Sequence, residues 1–441
     1  MRTWITTAYL RTVSTSFVSQ CSFWLVVTCL QWEVTTMPGT GAGDVGRLYF
    51  VQLLPMLLLT PLAGTLVDRL GRKVVVVLSL ACMGTAGAAG VAVALHGRLT
   101  PLSAYLLVGA AGLASAFGDP AFHALTPVTV PPHGLRPALS FSAVAPNIAR
   151  AAAPAGAAVL LWWGGPPVPL GTVVALSALA LFLIRPVRGV RPALREEESA
   201  PAGPVAGIRV ALTTPVIRNA LLLVGFTGLF GLSYAAVLPV VADGPLGADQ
   251  RGYALLLGAA GVGSVAGSLL QVPRVRRPRD LWPLVAAMTC GMLLLATAWN
   301  VPAGMVGCCV LSLGGVSIMV KLNVLIQHEL ADGVRGRVMS LYVWAWGGSL
   351  PLGGLVLGLV ADLTSVRAAL VSAALSLASA TVALPLLRPR GTGHAEGTGP
   401  PESTGHAEGT GHPEGTGPPE GTEHPEGTEH PENARTPAAG Q

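Results

Sequence analysis

A few ionisable and polar side chains interrupt long apolar runs in this chain, and chemistry is most plausible there. Arg150 stands in Asn147-Ile-Ala-Arg150, Asp119 in Phe117-Gly-Asp119-Pro120, Gln20 within Val18-Ser-Gln20-Cys21, and Lys321 close to Asn323 and Gln327. Ionisable groups inside apolar helices are costly and are usually retained for function. A guanidinium there either holds an anionic or carbonyl-bearing compound, or a mobile carboxylate, or it pairs structurally with polar groups on neighbouring helices. A carboxylate in apolar surroundings can exchange protons near neutral pH. Asp119 is therefore a proton carrier or, alternatively, a gate or structural partner, and Pro120 beside it permits a kink. Lys321 either snorkels to an interface or reaches inward. Trp344 and Trp346 are candidate cavity-lining residues.

These side chains need elements to carry them. Of 441 residues 51% are hydrophobic and only 11% charged, and the mean hydropathy is +0.60, too apolar for an ordinary soluble protein. A helix needs about 20 apolar residues to cross a hydrocarbon layer of about 30 Å. Such stretches fall near 10–32, 45–67, 74–95, 101–124, 137–162 and 167–185, then near 217–241, 252–272, 281–299, 302–326, 338–361 and 366–387. The sequence thus predicts an all-α integral membrane protein with twelve transmembrane helices. Residues 1–185 form an N-terminal six-helix half, 186–216 a cytoplasmic central loop, 217–390 a C-terminal six-helix half, and 391–441 a tail. Arg150 is then about 13 residues, or about 20 Å, inside the fifth span, while Asp119 lies near the inner end of the fourth.

Arginine and lysine set the orientation. Sixteen of them fall in the connections on one side, against Arg47, Arg98, Arg251 and Arg367 on the other, so both termini are expected in the cytoplasm. The basic balance (sequence pI about 9.1) then reflects topology and calls for no nucleic-acid partner. The first apolar run shows no cleavable-signal pattern. The six cysteines fall inside spans without metal-ligand spacing and read as packing residues, so no metal is expected. The hexads over 391–432, built from Gly, Thr, His, Pro, Ala and Glu, have too little apolar content to bury a core, and disorder is expected.

One connection is unusually polar. In Gly64-Thr-Leu-Val-Asp68-Arg69-Leu-Gly71-Arg72-Lys73 four charges occupy six positions between two apolar runs. Gly64 permits close helix approach, Gly71 suits a tight turn, Asp68 can face a helix N-terminus or an arginine, and Arg72 and Lys73 can meet headgroups. The order recurs in the second half. Gly64 answers Gly267, Arg136 answers Arg335, and Pro154 with Gly156 answers Pro351 with Gly353, at offsets of 203, 199 and 197. These prolines and glycines are expected at helix kinks or packing contacts. Parallel repeats of this kind build transporters whose substrate site lies between the halves near the midplane.

The loop Gly64 to Lys73, with twelve spans and a central loop, resembles the major facilitator superfamily over residues 1 to about 390. The turn Asp332-x-x-Arg335-Gly336-Arg337-Val-Met-Ser340, followed by Pro351-x-Gly353-Gly354, is similar to the exporter branch that includes enterobactin exporters and macrolide-efflux proteins. The resemblance implies that Gly64, Asp68, Arg69, Gly71, Arg72 and Lys73, with Asp332, Arg335 and Arg337, form a cytoplasmic conformational latch that breaks during alternating access. Arg150-x-x-x-Pro154 departs from the family's Arg-x-x-Gly-Pro at Ala153, and Gln20 stands where relatives often carry an acid.

The expected function is secondary-active export of a small amphipathic organic molecule, such as a drug-like compound or siderophore, across the plasma membrane. Proton antiport would supply the energy, with no other cofactor. An importer or a lysophospholipid flippase on the same fold is the alternative, and a non-transporting sensor lacks a sensory domain to support it. No nucleophile–base pair and no phosphate-binding loop is present, so an enzyme is not expected. A monomer surrounded by lipid, with a small-molecule substrate, completes the expectation.

Overall fold

In the computed structural model the described residues are 5–187, 209, 212–269, 281–330 and 332–383. The hexad tail and most of the central loop lie outside them. Every regular element among the described residues is helical. The helices are α1 (Thr7–Thr36), α2 (Ala42–Leu70), α3 (Arg72–Leu95), α4 (Pro101–Leu125), α5 (Leu135–Gly164) and α6 (Pro167–Ile184). After the central loop come α7 (Pro215–Phe226), α8 (Leu238–Asp243), α9 (Gln250–Leu269), α10 (Trp282–Thr297), α11 (Val301–His328), α12 (Asp332–Leu363) and α13 (Val366–Ala383). The predicted apolar stretches fall on these helices. Nine stretches among the described residues are long and apolar enough to cross a membrane, and α10 and α13 are shorter apolar helices.

The helix starts follow from local chemistry. Thr6 accepts from the Tyr9 amide at the head of α1, Thr100 and Ser103 form a reciprocal box at α4, and Asn300 accepts from Ala303 at α11. Each satisfies an amide that the first turn leaves without a partner. Pro101, Pro167 and Pro215 occupy the first helical position, where a missing N–H is harmless.

The predicted span 217–241 is not one continuous helix. Between α7 and α8 the chain makes a π turn over Thr227–Gly231 and a 3-10 turn over Leu232–Ala236. Irregular backbone survives at membrane depth only when buried in protein, and Thr227, Gly228, Gly231, Ser233, Tyr234 and Ala236 are all buried. Ser233 Oγ donates to the Leu229 carbonyl at 2.7 Å, and Tyr234 Oη and Ser312 Oγ share a hydrogen bond at 2.8 Å. Gly353 of α12 backs this segment so closely that an added Cβ would collide with the Leu229 carbonyl oxygen. Gly156 differs: a Cβ there would meet nothing within 4 Å among the described residues, so it makes no close helix contact. Pro154 and Pro351 do lie inside α5 and α12, and α5 carries a second internal proline, Pro146.

At the end of the bundle where α1 turns into α2, helices from before and after the central loop are locked together. Trp32 stacks on Tyr253 with centroids 5.3 Å apart. The Arg251 guanidinium lies 3.6 Å above the Trp162 ring. Gly46 faces the backbone of Gly354 and Gly358, and Gly358 in turn faces the Ala42 carbonyl. Small residues on both helices let α2 and α12 meet backbone to backbone, as membrane helices do where no side chain keeps them apart.

Candidate functional site

The midpoints of three helices converge. Arg150 lies 15 residues after Leu135 and 14 before Gly164 on α5. Gln20 lies 13 after Thr7 and 16 before Thr36 on α1. Trp346 lies 14 after Asp332 and 17 before Leu363 on α12. Helices of this length, rising about 1.5 Å per residue, carry such residues to mid-height in the bundle.

Two i, i+4 pairs organise the cluster, because that spacing puts both members on one helix face. On α4, Ser115 Oγ donates to Asp119 Oδ2 at 2.9 Å. On α1, Gln20 Nε2 donates to Asp119 Oδ1 at 2.8 Å, while Trp24, one turn on, lies under Arg150. The Arg150 guanidinium carbon is 5.9 Å from the Trp24 ring and 5.3 Å from the Trp346 ring. Both distances fall in the cation–π range. Arg150 also interacts electrostatically with Asp119 and with Tyr49 of α2. Rings of α1 and α12 flank it, with Asp119 of α4 and Tyr49 of α2 within electrostatic reach, yet its side chain is exposed. A residue flanked by rings of two helices and still reached by solvent lines an opening between them.

Asp119 and Arg150 attract each other without forming an ion pair, and the two carboxylate oxygens accept from Gln20 and Ser115. Asp119 lies six residues before Leu125, near the end of α4, where it is half-buried and bonded to Gln20 of α1. Gln20 and Trp346 stand in the cluster. Trp344 does not. Two residues away on the same helix, it is turned about 200° from Trp346 and is 63% exposed. Lys321 lies half-buried on α11, and neighbouring Asn323 accepts from Gln327 Nε2. Trp24, Tyr49 and Ser115 were not singled out from sequence. For Ser115 and Trp24 the readable signal was their fourth-residue spacing from Asp119 and Gln20.

The polar connection at 64–73 is only partly described. Gly71 has φ of 91° and ends α2 while starting α3. A Cβ there would meet nothing within 4 Å, so glycine is needed for the backbone conformation and not for space. Lys73 donates from Nζ to the Arg185 carbonyl at 2.6 Å. A cation at the C-terminus of α6 satisfies an unpaired carbonyl and complements the helix dipole. Arg69 is exposed, and Arg72 is half-buried with Nε unpartnered. The surroundings of Gly64 and the side chains of Asp68, Asp332, Arg335 and Arg337 lie outside the described residues. The same holds for the proposed latch contacts among them. The six cysteines are free, and no metal-binding cluster occurs among the described residues.

A helical bundle with an exposed arginine enclosed at mid-height has the construction of a membrane transporter, and comparison with known proteins agrees. A family model described as transmembrane secretion effector matches residues 9–396. The multidrug efflux pump Tap of Mycobacterium tuberculosis is 28% identical over 381 residues, covering 82% of this chain and 90% of that one. An uncharacterised MFS-type transporter, y4rN of Sinorhizobium fredii, is 28% identical over 364 residues, covering 79% and 87%. Among solved structures, the D-xylose–proton symporter superposes with a TM-score of 0.66 at 15% identity, covering 88% of this chain and 98% of that one. The nucleoside transporter NupG gives 0.63 at 15% identity, covering 86% and 98%. The chain belongs to the transmembrane secretion effector family of major facilitator transporters. It is a multi-pass membrane transporter and not an enzyme.

Proposed function

We propose that this chain is a secondary-active exporter that moves a small amphipathic organic molecule across the cytoplasmic membrane by alternating access between two six-helix halves. The observation that carries this is Arg150, at mid-height, open to solvent and ringed by Trp24, Trp346, Tyr49 and Asp119. Trp346 follows the central loop and the other residues precede it, so the site draws on both halves. On the reading of twelve spans with both termini in the cytoplasm, which the positive-inside rule supports, the locked end of the bundle faces outward. Water then reaches Arg150 from the cytoplasm, which is the loading side for an exporter. Similarity to a multidrug efflux pump supports outward transport. Asp119 is the carboxylate placed to carry a proton in exchange. The test is accumulation of a panel of drug-like compounds in an efflux-deficient host. Wild-type protein is expected to lower accumulation of at least one compound. Arg150→Ala should abolish the effect at equal membrane abundance, and Arg150→Lys should restore it only in part, because the planar fork is lost. Full export by the Ala variant would sink this site assignment.

A further inference from the structure

We infer that the central site takes a flat organic anion, an aromatic ring system bearing a carboxylate or sulfonate, in preference to an organic cation. The inference rests on the exporter reading and names its substrate class. Its basis is an imbalance of donors and acceptors around Arg150. The guanidinium has five N–H donors and no acceptor capacity, and among the described residues it makes no hydrogen bond or ion pair. Trp24 Nε1 and Trp346 Nε1 are buried with no hydrogen-bond partner. An indole nitrogen donates and cannot accept. The site's carboxylate takes one hydrogen bond at each oxygen, from Gln20 and Ser115, and none from Arg150 or the two indoles.

An exposed guanidinium with unmet donor capacity thus stands beside two indole rings, and an acceptor-bearing ligand would complete it. A carboxylate or sulfonate matches the guanidinium fork with two parallel hydrogen bonds. The faces of Trp24 and Trp346, 5.9 and 5.3 Å from the guanidinium carbon, offer stacking surface for the ligand's ring. A cationic ligand would meet like charge at Arg150, and the carboxylate it could approach, Asp119, already accepts two hydrogen bonds.

Isosteric probes decide the question: naphthalene-2-sulfonate, 2-naphthalenemethanol and 2-naphthylmethylammonium, titrated against the purified full chain in nanodiscs and read by equilibrium dialysis. The anion is expected to bind at least about tenfold more tightly than the cation, a difference of about 1.4 kcal/mol, with the neutral probe between them. Arg150→Ala should remove that preference, and Trp346→Leu should weaken the anion while leaving the order intact. Cation binding equal to or tighter than anion binding by the wild-type protein overturns the proposal. So does an anion preference that survives in Arg150→Ala. If that variant fails to fold, the wild-type ranking alone decides, and Arg150→Gln, which keeps donors without charge, repeats the variant test. The exporter reading fails separately. If the wild type ranks the probes as expected but lowers no compound's accumulation in cells, export is wrong and anion recognition stands. If it exports cationic dyes and binds no anion, the reverse holds.

Discussion

Asp119 accepts hydrogen bonds from Gln20 and Ser115, and this holds its carboxylate at a fixed position facing Arg150. Hydrogen bonds to a charged group contribute about 1.5–3 kcal/mol, so the pair Gln20–Asp119 fastens α1 to α4 at the height of the site. Asp119→Asn preserves size and some hydrogen bonding but removes the ionisable group. In proteoliposomes we expect this variant to bind substrate while losing substrate-driven proton movement across the membrane. Unchanged proton flux by Asp119→Asn would assign coupling to another group. Gln20→Leu removes one donor without adding charge and should slow transport while leaving proton coupling measurable.

At the scale of elements, the break between α7 and α8 is held by α12. Gly353 approaches the Leu229 carbonyl, and Ser233 occupies the space beside it. Gly353→Val introduces carbons where backbone already lies, and overpacking of this kind typically costs about 1–3 kcal/mol. Thermal unfolding in detergent should show a lower midpoint for Gly353→Val. Gly156→Ala, at a site open to added carbon, should leave the midpoint near that of the wild type. Equal loss in both variants would mean that the repeat offset, and not close packing, explains these glycines.

For the whole molecule, the contacts at the α1–α2 end favour the conformation in which that end is shut. Arg251 lies over Trp162 at 3.6 Å, and Tyr253 stacks on Trp32. A cation–π contact contributes about 0.5–2 kcal/mol, enough to shift a two-state population by several-fold. Arg251→Ala is expected to raise the fraction of molecules open at this end. Spin labels on either side of the seal, read by pulsed dipolar spectroscopy, should show a longer distance gaining amplitude. An unchanged distribution would mean that the glycine contacts between α2 and α12 alone set the closed state. Removal of residues 391–441 should leave export intact, because the family match reaches only residue 396 of this segment and the hexads have too little apolar content to pack. Accumulation assays on the truncated protein check this.

Hydropathy runs and the charged turn at 64–73 were enough to derive a helical membrane protein, its approximate helix positions and the unusual status of Arg150 and Asp119. These are local properties: a membrane helix must satisfy its own backbone, so apolar length and end signals declare it. Gly71 was legible for the same reason, since a positive φ is a demand on one residue. The partners were not legible. Gln20 and Asp119 are 99 residues apart in sequence, and no short-range pattern states that their helices touch. That Trp346 faces Arg150 while Trp344 turns away depends on the rotation of α12, and that Lys73 caps α6 depends on where α6 ends. The break after α7 was hidden because its residues are as apolar as those of a continuous span. Only packing against α11 and α12 shows where its backbone groups and side chains find their places.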